Sequence, residues 1–320
     1  MPPGVFILVL FVAVLHVVWN AVLKTSGDTL RTAARAMVVG VGVFAPIVVV
    51  AWLANGRPGM PNETLALAVV SGLLEAAYFI CLSAAYQRGD LSVVYPIARG
   101  TAPIFSVILG ILVLGERLKV PGILGVAALL AGILLVQQPW RAIALLRGRS
   151  ARRAAGVPSN GPGAAEFALL TGVMISAYSA VDRVAVQSVA PWLYAGVVFP
   201  ICAVALVAWV RLVADRRDRP ARPGSATSTP GSAARTPGPA SWVRSGAAGT
   251  MSLGAYGLIL VAYTLAPLTA VAPLRESSVV IASAWGAIRM REAVGTRDRA
   301  RRIGGACLVL TGAVLLGLEG

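Results

Sequence analysis

Arg99 and Arg275 each stand inside a run of Val, Ile, Leu, Ala and Gly, and of thirteen acidic residues only Glu75, Asp182 and Glu276 fall well inside such runs. A charge near a bilayer centre costs about 2.5 to 3.5 kcal/mol on insertion scales, so each of these groups must face the interior of a bundle and find a partner. Two kinds of chemistry suit them. An arginine can bind an anionic or carboxylate-bearing solute, and an intramembrane carboxylate can take up and release a proton. The alternative is structural: Arg99 and Arg275 paired with Glu75, Asp182 or Glu276, holding parts of the chain in register. Residue types leave both open.

Other polar residues gather near these five. Pro96, Pro103 and Pro273 flank the arginines, and each lacks an N–H, which frees a carbonyl one turn earlier for a cavity. His16, Trp19, Asn20 and Lys24 recur at i, i+3, i+4 and i+8 and therefore share one helical face. His16 and Asn20 could touch a solute or hydrogen-bond neighbouring helices, whereas Lys24 suits a surface anchor. Tyr95, just before Pro96, and Tyr178, on the face of Asp182, are the aromatic candidates.

Catalytic and metal chemistry lack their parts. Cys81, Cys202 and Cys307 lie in apolar runs without metal-like spacing, and His16 is the single histidine. The sequence has no GxxxxGK[ST], GxSxG or HExxH and no carboxylate pair at catalytic spacing. Neither an enzyme, a cofactor nor a metal is expected. A membrane-embedded receptor or scaffold, or a lipid-processing protein without transport activity, is the alternative class; of the loops, only 213–243 is long enough for a receptor or scaffold.

The elements that must position these residues are membrane helices. The chain is 57% hydrophobic and 13% charged, with a mean hydropathy of +0.78. Its apolar runs of roughly 20 residues match a bilayer core and are apolar on all sides, unlike barrel strands. Ten helices are expected, at 4–23, 36–54, 64–86, 91–115, 120–138, 164–187, 192–212, 244–265, 268–289 and 303–318. Residues 139–163 read as a basic linker loop, and 213–243, rich in Pro, Ser, Thr, Gly and Arg, as a disordered loop. The first run has neither a basic start nor a small-residue cleavage site, so it reads as a retained helix.

Net charge is +15, but its placement matters more than its size. Of 28 Lys and Arg residues, 22 fall at connections after odd-numbered helices, against four (Arg57, Arg117, Lys119, Arg183) at the others. That asymmetry puts the odd loops in the cytoplasm and both termini outside the cytoplasmic membrane. It makes anionic lipid the neighbour of the basic loops and excludes a nucleic-acid partner.

The chain also repeats itself. "LSVVYPIARGTAPIFSVILGILVLGE" (91–116) aligns with "LTAVAPLRESSVVIASAWGAIRMRE" (268–292), pairing Pro96 with Pro273, Arg99 with Arg275 and Glu116 with Glu292 after one single-residue gap. Upstream, "HVVWNAVLK" (16–24) aligns with "YSAVDRVAV" (178–186), setting Asn20 against Asp182. Two halves, 1–138 and 164–320, therefore each hold five helices. Because five is odd, the second half enters the bilayer from the opposite side, which is the inverted-repeat architecture of secondary transporters, with the site near the midplane between halves. Glu116 and Glu292 end their helices beside Arg117 and Arg291 and read as caps or loop salt bridges.

The segments "GDLSVVYPIARGTAP…LGERL", "APLRESSV…E" and "HVVWN…K" resemble the EamA-like family of the drug/metabolite transporter superfamily. The resemblance covers the chain apart from its two linkers. It implies a ten-helix carrier of a small, amino-acid-like or drug-like metabolite, often an exporter, working by alternating access. The chain departs from the family pattern in its long 213–243 linker and in Arg289 and Arg291, which stand where Leu and Gly are more usual.

Overall fold

The computed structural model describes residues 3–24, 28–89, 91–144, 163–215, 241–276, 280 and 296–317. Those residues form an all-helical bundle. In chain order the helices are α1 (Pro3–Lys24), α2 (Thr29–Ala54), α3 (Asn62–Arg88), α4 (Leu91–Leu112), α5 (Val120–Gln137) and α6 (Ala164–Ala185). They continue as α7 (Pro191–Trp209, extended by a π-helical turn over Val210–Ala214), α8 (Trp242–Leu265), α9 (described over 268–276) and α10 (Thr296–Gly317). Among the described residues seven helices, α2 to α8, are long and apolar enough to cross a bilayer. The chain is a multi-pass membrane protein.

Several helix boundaries differ from the sequence expectation for local reasons. Helix α2 starts at Thr29 rather than 36, because the Asp28 side chain accepts the Arg31 backbone N–H at 2.9 Å and so caps an earlier turn. Arg31 and Arg35, expected in a loop, therefore ride on that helix. Arg31 pairs with Asp28 at 2.6 Å and with Asp215 at 2.8 Å, and Arg35 lies 4.9 Å over the Trp242 ring. Helix α4 ends at Leu112 rather than 115; the chain turns at Gly115, whose φ of 65° suits glycine. Glu116 thus follows its helix, its N–H donating to the Gly110 carbonyl at 2.9 Å.

The expected basic loop at 139–163 begins with a helical turn over 139–144, and α10 starts at Thr296 rather than 303. The expected disordered loop at 213–243 is helical at both edges, since the π turn runs to Ala214 and α8 begins at Trp242. Its middle, 216–240, lies outside the described residues, as do 277–279 and 281–295 with Arg289, Arg291 and Glu292.

Packing follows the duplication. Helix α3 packs on α6 and, at the related crossing, α1 packs on α8; α3 on α7 is matched by α2 on α8. The pairs α5–α10 and α2–α7 map onto themselves when the halves are exchanged. Every one of these extensive contacts joins the first half to the second, so the inverted repeats interlock rather than pack as separate cores. Small residues permit the close crossings, as membrane helices without a hydrophobic drive between them require. Gly72 of α3 faces Val198 and Ile201 of α7, and its counterpart 177 residues on, Gly249 of α8, lies against the Ala36 backbone of α2. In the α5–α10 pair Gly125 meets Gly312 and Gly132 meets Gly305, an antiparallel register.

Loops sort to two ends. The Arg31–Asp215 pair brings the start of α2 to the end of α7, whereas Glu116, after α4, touches the start of α9. Connections after odd-numbered and even-numbered helices thus gather at opposite ends of the bundle.

A side chain at Gly249 would run into the Ala36 carbonyl, whereas one at Gly42 meets open space. Gly249→Leu should therefore cost on the order of 1 to 3 kcal/mol by overpacking. In detergent-purified protein its thermal midpoint should fall clearly below those of the wild type and Gly42→Leu, which should agree with each other.

Candidate functional site

Arg99 lies two turns into α4, and the 268–276 stretch of α9 carries Arg275 and Glu276 to the same place from the other half. All three are buried, at 6%, 2% and 3% exposure. Arg99 Nη1 donates to both Glu276 carboxylate oxygens, at 3.1 and 3.4 Å, and Arg275 Nε donates to Glu276 Oε1 at 3.2 Å. Two guanidinium groups thus share one carboxylate. Arg99 Nη2 also donates to the Tyr78 hydroxyl of α3 at 3.3 Å. Of the three carboxylates weighed as partners for the arginines, Glu276 is the one in contact.

Glu75 and Asp182 form a second centre. Asp182 of α6 is wholly buried and accepts three hydroxyl donors: Ser71 of α3 at 2.5 Å, Tyr194 of α7 at 2.8 Å, and Tyr256 of α8. Four helices therefore converge on one carboxylate. Glu75 lies one turn beyond Ser71 on the same face of α3, beside Cys202 of α7. Its Oε2 is buried and has no hydrogen-bond partner among the described residues.

Aromatic rings link the two centres. Tyr78, on Arg99, meets Tyr178 edge-on at 6.1 Å between centroids, and Tyr178 meets Tyr256, on Asp182, at 5.7 Å. Such edge contacts add about 0.5 to 1.5 kcal/mol each beyond their burial. These three buried rings connect the cationic site to the acidic one.

Tyr95 is half-buried one turn before Arg99 on the same face of α4. Pro96 and Pro103 lie inside α4 and Pro273 inside the described part of α9. Near Pro103, the Ser176 hydroxyl of α6 donates to the Ala102 carbonyl at 2.7 Å, tying that helix to its neighbour. His16 and Asn20 fall on α1 by their backbone, but their side chains lie outside the described residues.

Several members of the site escape sequence reasoning. Ser71 and Tyr78 flank Glu75 at helical spacing and were detectable as a face, and Tyr256 is the repeat counterpart of Phe79. Nothing in the sequence points to Tyr194 or Cys202, which reach the site only through the α3–α7 crossing. The described residues contain no group of three His, Cys, Asp or Glu that could hold a metal.

A further ionic contact follows α4. Both Glu116 oxygens accept backbone N–H groups of α9, from Leu268 at 2.7 Å and Thr269 at 2.9 Å, where the helix N-terminus favours a negative charge. Arg183 Nε stands 3.5 Å from Glu116, and its Nη1 donates to the Tyr263 carbonyl at 2.7 Å, beside a bond from Gln187 at 3.0 Å. This clasp joins the α4–α5 connection to α6, α8 and α9.

Removing one partner of a buried ion pair strands the other, at about 3 to 5 kcal/mol. Glu276→Gln removes the carboxylate that both guanidinium groups share and should therefore destabilise the protein by that order, whereas Arg99→Ala, which leaves Arg275 on Glu276, should cost less. A thermal-unfolding double-mutant cycle reads the coupling; additivity would mean that the contact carries no net interaction.

The profile of the EamA-like transporter family matches residues 3–137. A search of curated proteins finds no match. A solved structure titled "Crystal structure of protein" is similar over 100% of both chains, with a TM-score of 0.64 and 16% sequence identity, a likeness of fold. The profile match spans residues 3–137, and over that stretch the chain is similar to a family of transporters.

Proposed function

We propose that the chain is a secondary carrier in the cytoplasmic membrane that moves a small, carboxylate-bearing, amino-acid-like metabolite by alternating access. Export is the direction the family resemblance implies. The observation that carries this reading is the meeting of Arg99, Arg275 and Glu276 where the two inverted repeats face each other. A substrate carboxylate can replace Glu276 on one guanidinium while Glu276 keeps the other, so charge stays paired throughout binding. The acidic centre, reached along Tyr78, Tyr178 and Tyr256, offers oxygens to an ammonium or other donor group.

Proton coupling follows from the same inventory. Arg99 and Arg275 face Glu276, Glu75 and Asp182, two positive groups against three negative ones, and a proton held between Glu75 and Asp182 balances them. Release of that proton when a cationic substrate group arrives would link the two fluxes. His16 and Asn20 on α1 are proposed to line the same cavity. The odd-numbered connections are placed in the cytoplasm by their Lys and Arg content, which puts the Glu116 clasp at the outer end. In this scheme domain halves 1–138 and 164–320 supply the repeats, but the moving units combine helices from both, α3, α4 and α6 against α8, α9 and α1. Basic connections face anionic lipid.

Transport should be measured by counterflow of labelled carboxylate-bearing solutes in proteoliposomes. Arg99→Lys and Arg275→Lys keep the charge but lose the bidentate fork, and each should reduce counterflow at least about tenfold while protein yield and thermal midpoint hold. Unchanged counterflow in both would overturn substrate binding by the arginines. Glu75→Gln and Asp182→Asn should weaken counterflow of ammonium-bearing solutes and remove the response of the remaining net transport to an imposed pH gradient; a retained response in both would exclude them as the coupling pair. Glu116→Gln weakens the clasp, so a cysteine at Thr269 in a cysteine-free background should label faster with an impermeant maleimide than in the Glu116 parent.

A further inference from the structure

A crevice of about 430 Å³ runs between α2, α7 and α8. Its walls include Phe44 and Val48 of α2, Trp192 and Phe199 of α7, and Gly257 and Val261 of α8. Every lining side chain is hydrocarbon except for the indole nitrogen of Trp192. The gap has a local cause: Gly254 and Gly257 present no side chain into it, and Pro46 and Pro200 interrupt the hydrogen-bond ladders of α2 and α7.

We propose that this crevice is a binding site for one acyl chain of a membrane phospholipid. Three observations favour that occupant. First, the crevice offers neither charge nor hydroxyl, so a polar solute would lose its hydration with nothing in return. Second, its sides open onto Ile47, Val49 and Val261, which are 59%, 51% and 36% exposed on membrane-spanning helices and therefore meet hydrocarbon. Third, its length fits one leaflet. The lining on α7 runs from Pro191, at the start of the helix, to Pro200, about 13 Å at 1.5 Å per residue, against about 15 Å for half of a bilayer core. Its mouth lies where α7 begins and where α2 and α8 end, with Trp192 at the level that suits an interfacial indole.

The inner end of the slot touches the acidic centre. The Phe199 ring lies 5.9 Å from that of Tyr256, whose hydroxyl donates to Asp182. An acyl chain in the crevice would buttress this ring pair and wedge α2 apart from α7 and α8. The proposal stands without the transport reading, since it concerns only the lipid-facing side of the bundle.

The probe is a phospholipid brominated at mid-chain, titrated into delipidated protein in dodecyl maltoside micelles. Fluorescence of Trp192 is obtained as the difference between the wild type and Trp192→Phe. We expect quenching that saturates at stoichiometric lipid, equally for phosphatidylcholine and phosphatidylglycerol. A Cβ at Gly257 meets no atom within 4 Å, so Gly257→Leu places its side chain in the crevice and should abolish the saturable phase at an unchanged thermal midpoint. Should that variant unfold, Ala45→Phe, also on the lining and exposed, serves the same purpose. Quenching that rises linearly with lipid, or that persists in the filled variant, would overturn the site. Saturation by only one head group would show that the head group rather than the chain is held, and would overturn the acyl-chain assignment.

Discussion

A guanidinium among membrane helices has to be answered by a carboxylate, and the answer to Arg99 comes from the other half of the chain. Glu276 sits 177 residues away and meets both Arg99 and Arg275. In hydrocarbon none of these groups is tolerable alone, so the contact specifies that α4 and α9 face each other at the bundle centre. The remaining helices then have little freedom. Helix α3 must bring Tyr78 to Arg99, and α6 must bring Tyr178 beside Tyr78, which carries Asp182 to a position where α7 and α8 close around it.

The interlocked packing is the other side of this constraint. Had each five-helix half folded on its own core, α4 and α9 would meet only at a surface between two domains. Instead the extensive contacts cross between halves, and glycines related by the duplication, Gly72 and Gly249, make equivalent crossings possible. A charge contact at the axis and close helix crossings around it support each other: the first sets register, the second excludes lipid from the charged groups.

Much of this was legible in the sequence because membrane helices announce themselves by length and the duplication by alignment. The all-helical class, the paired Arg99 and Arg275, and the depth of Glu75, Asp182 and Glu276 all follow from residue order. Helix starts were read less well. Asp28 caps a turn seven residues earlier than the apolar run suggests, because a cap acts through one oxygen and leaves no mark on hydropathy. Partner choice was out of reach for a different reason. Whether Arg99 meets Glu75, Asp182 or Glu276 depends on helix rotation and crossing, and three carboxylates at similar depth look alike in one dimension. Glu116 shows the same limit: a residue read as an ordinary helix end reaches the backbone of α9 across the fold.

The charges also break the symmetry that the backbone keeps. Arg99 has Arg275 as its counterpart, yet none of the three carboxylates has an acidic partner: Asp182 aligns with Asn20, Glu75 with Ser252 at the 177-residue offset, and Glu276 with Gly100 after the single-residue gap. Duplication supplied two arginines, and the acids came to one side each. A site with full twofold symmetry would offer the same field to both ends of the path and could not tell a proton entering from one face from a proton entering from the other. With Glu75 and Asp182 enclosed by α3, α6, α7 and α8, and with no acid at the related positions, the field along the Tyr78–Tyr178–Tyr256 path runs in one direction. The scaffold is near-symmetric, and its asymmetry lies in where the carboxylates are.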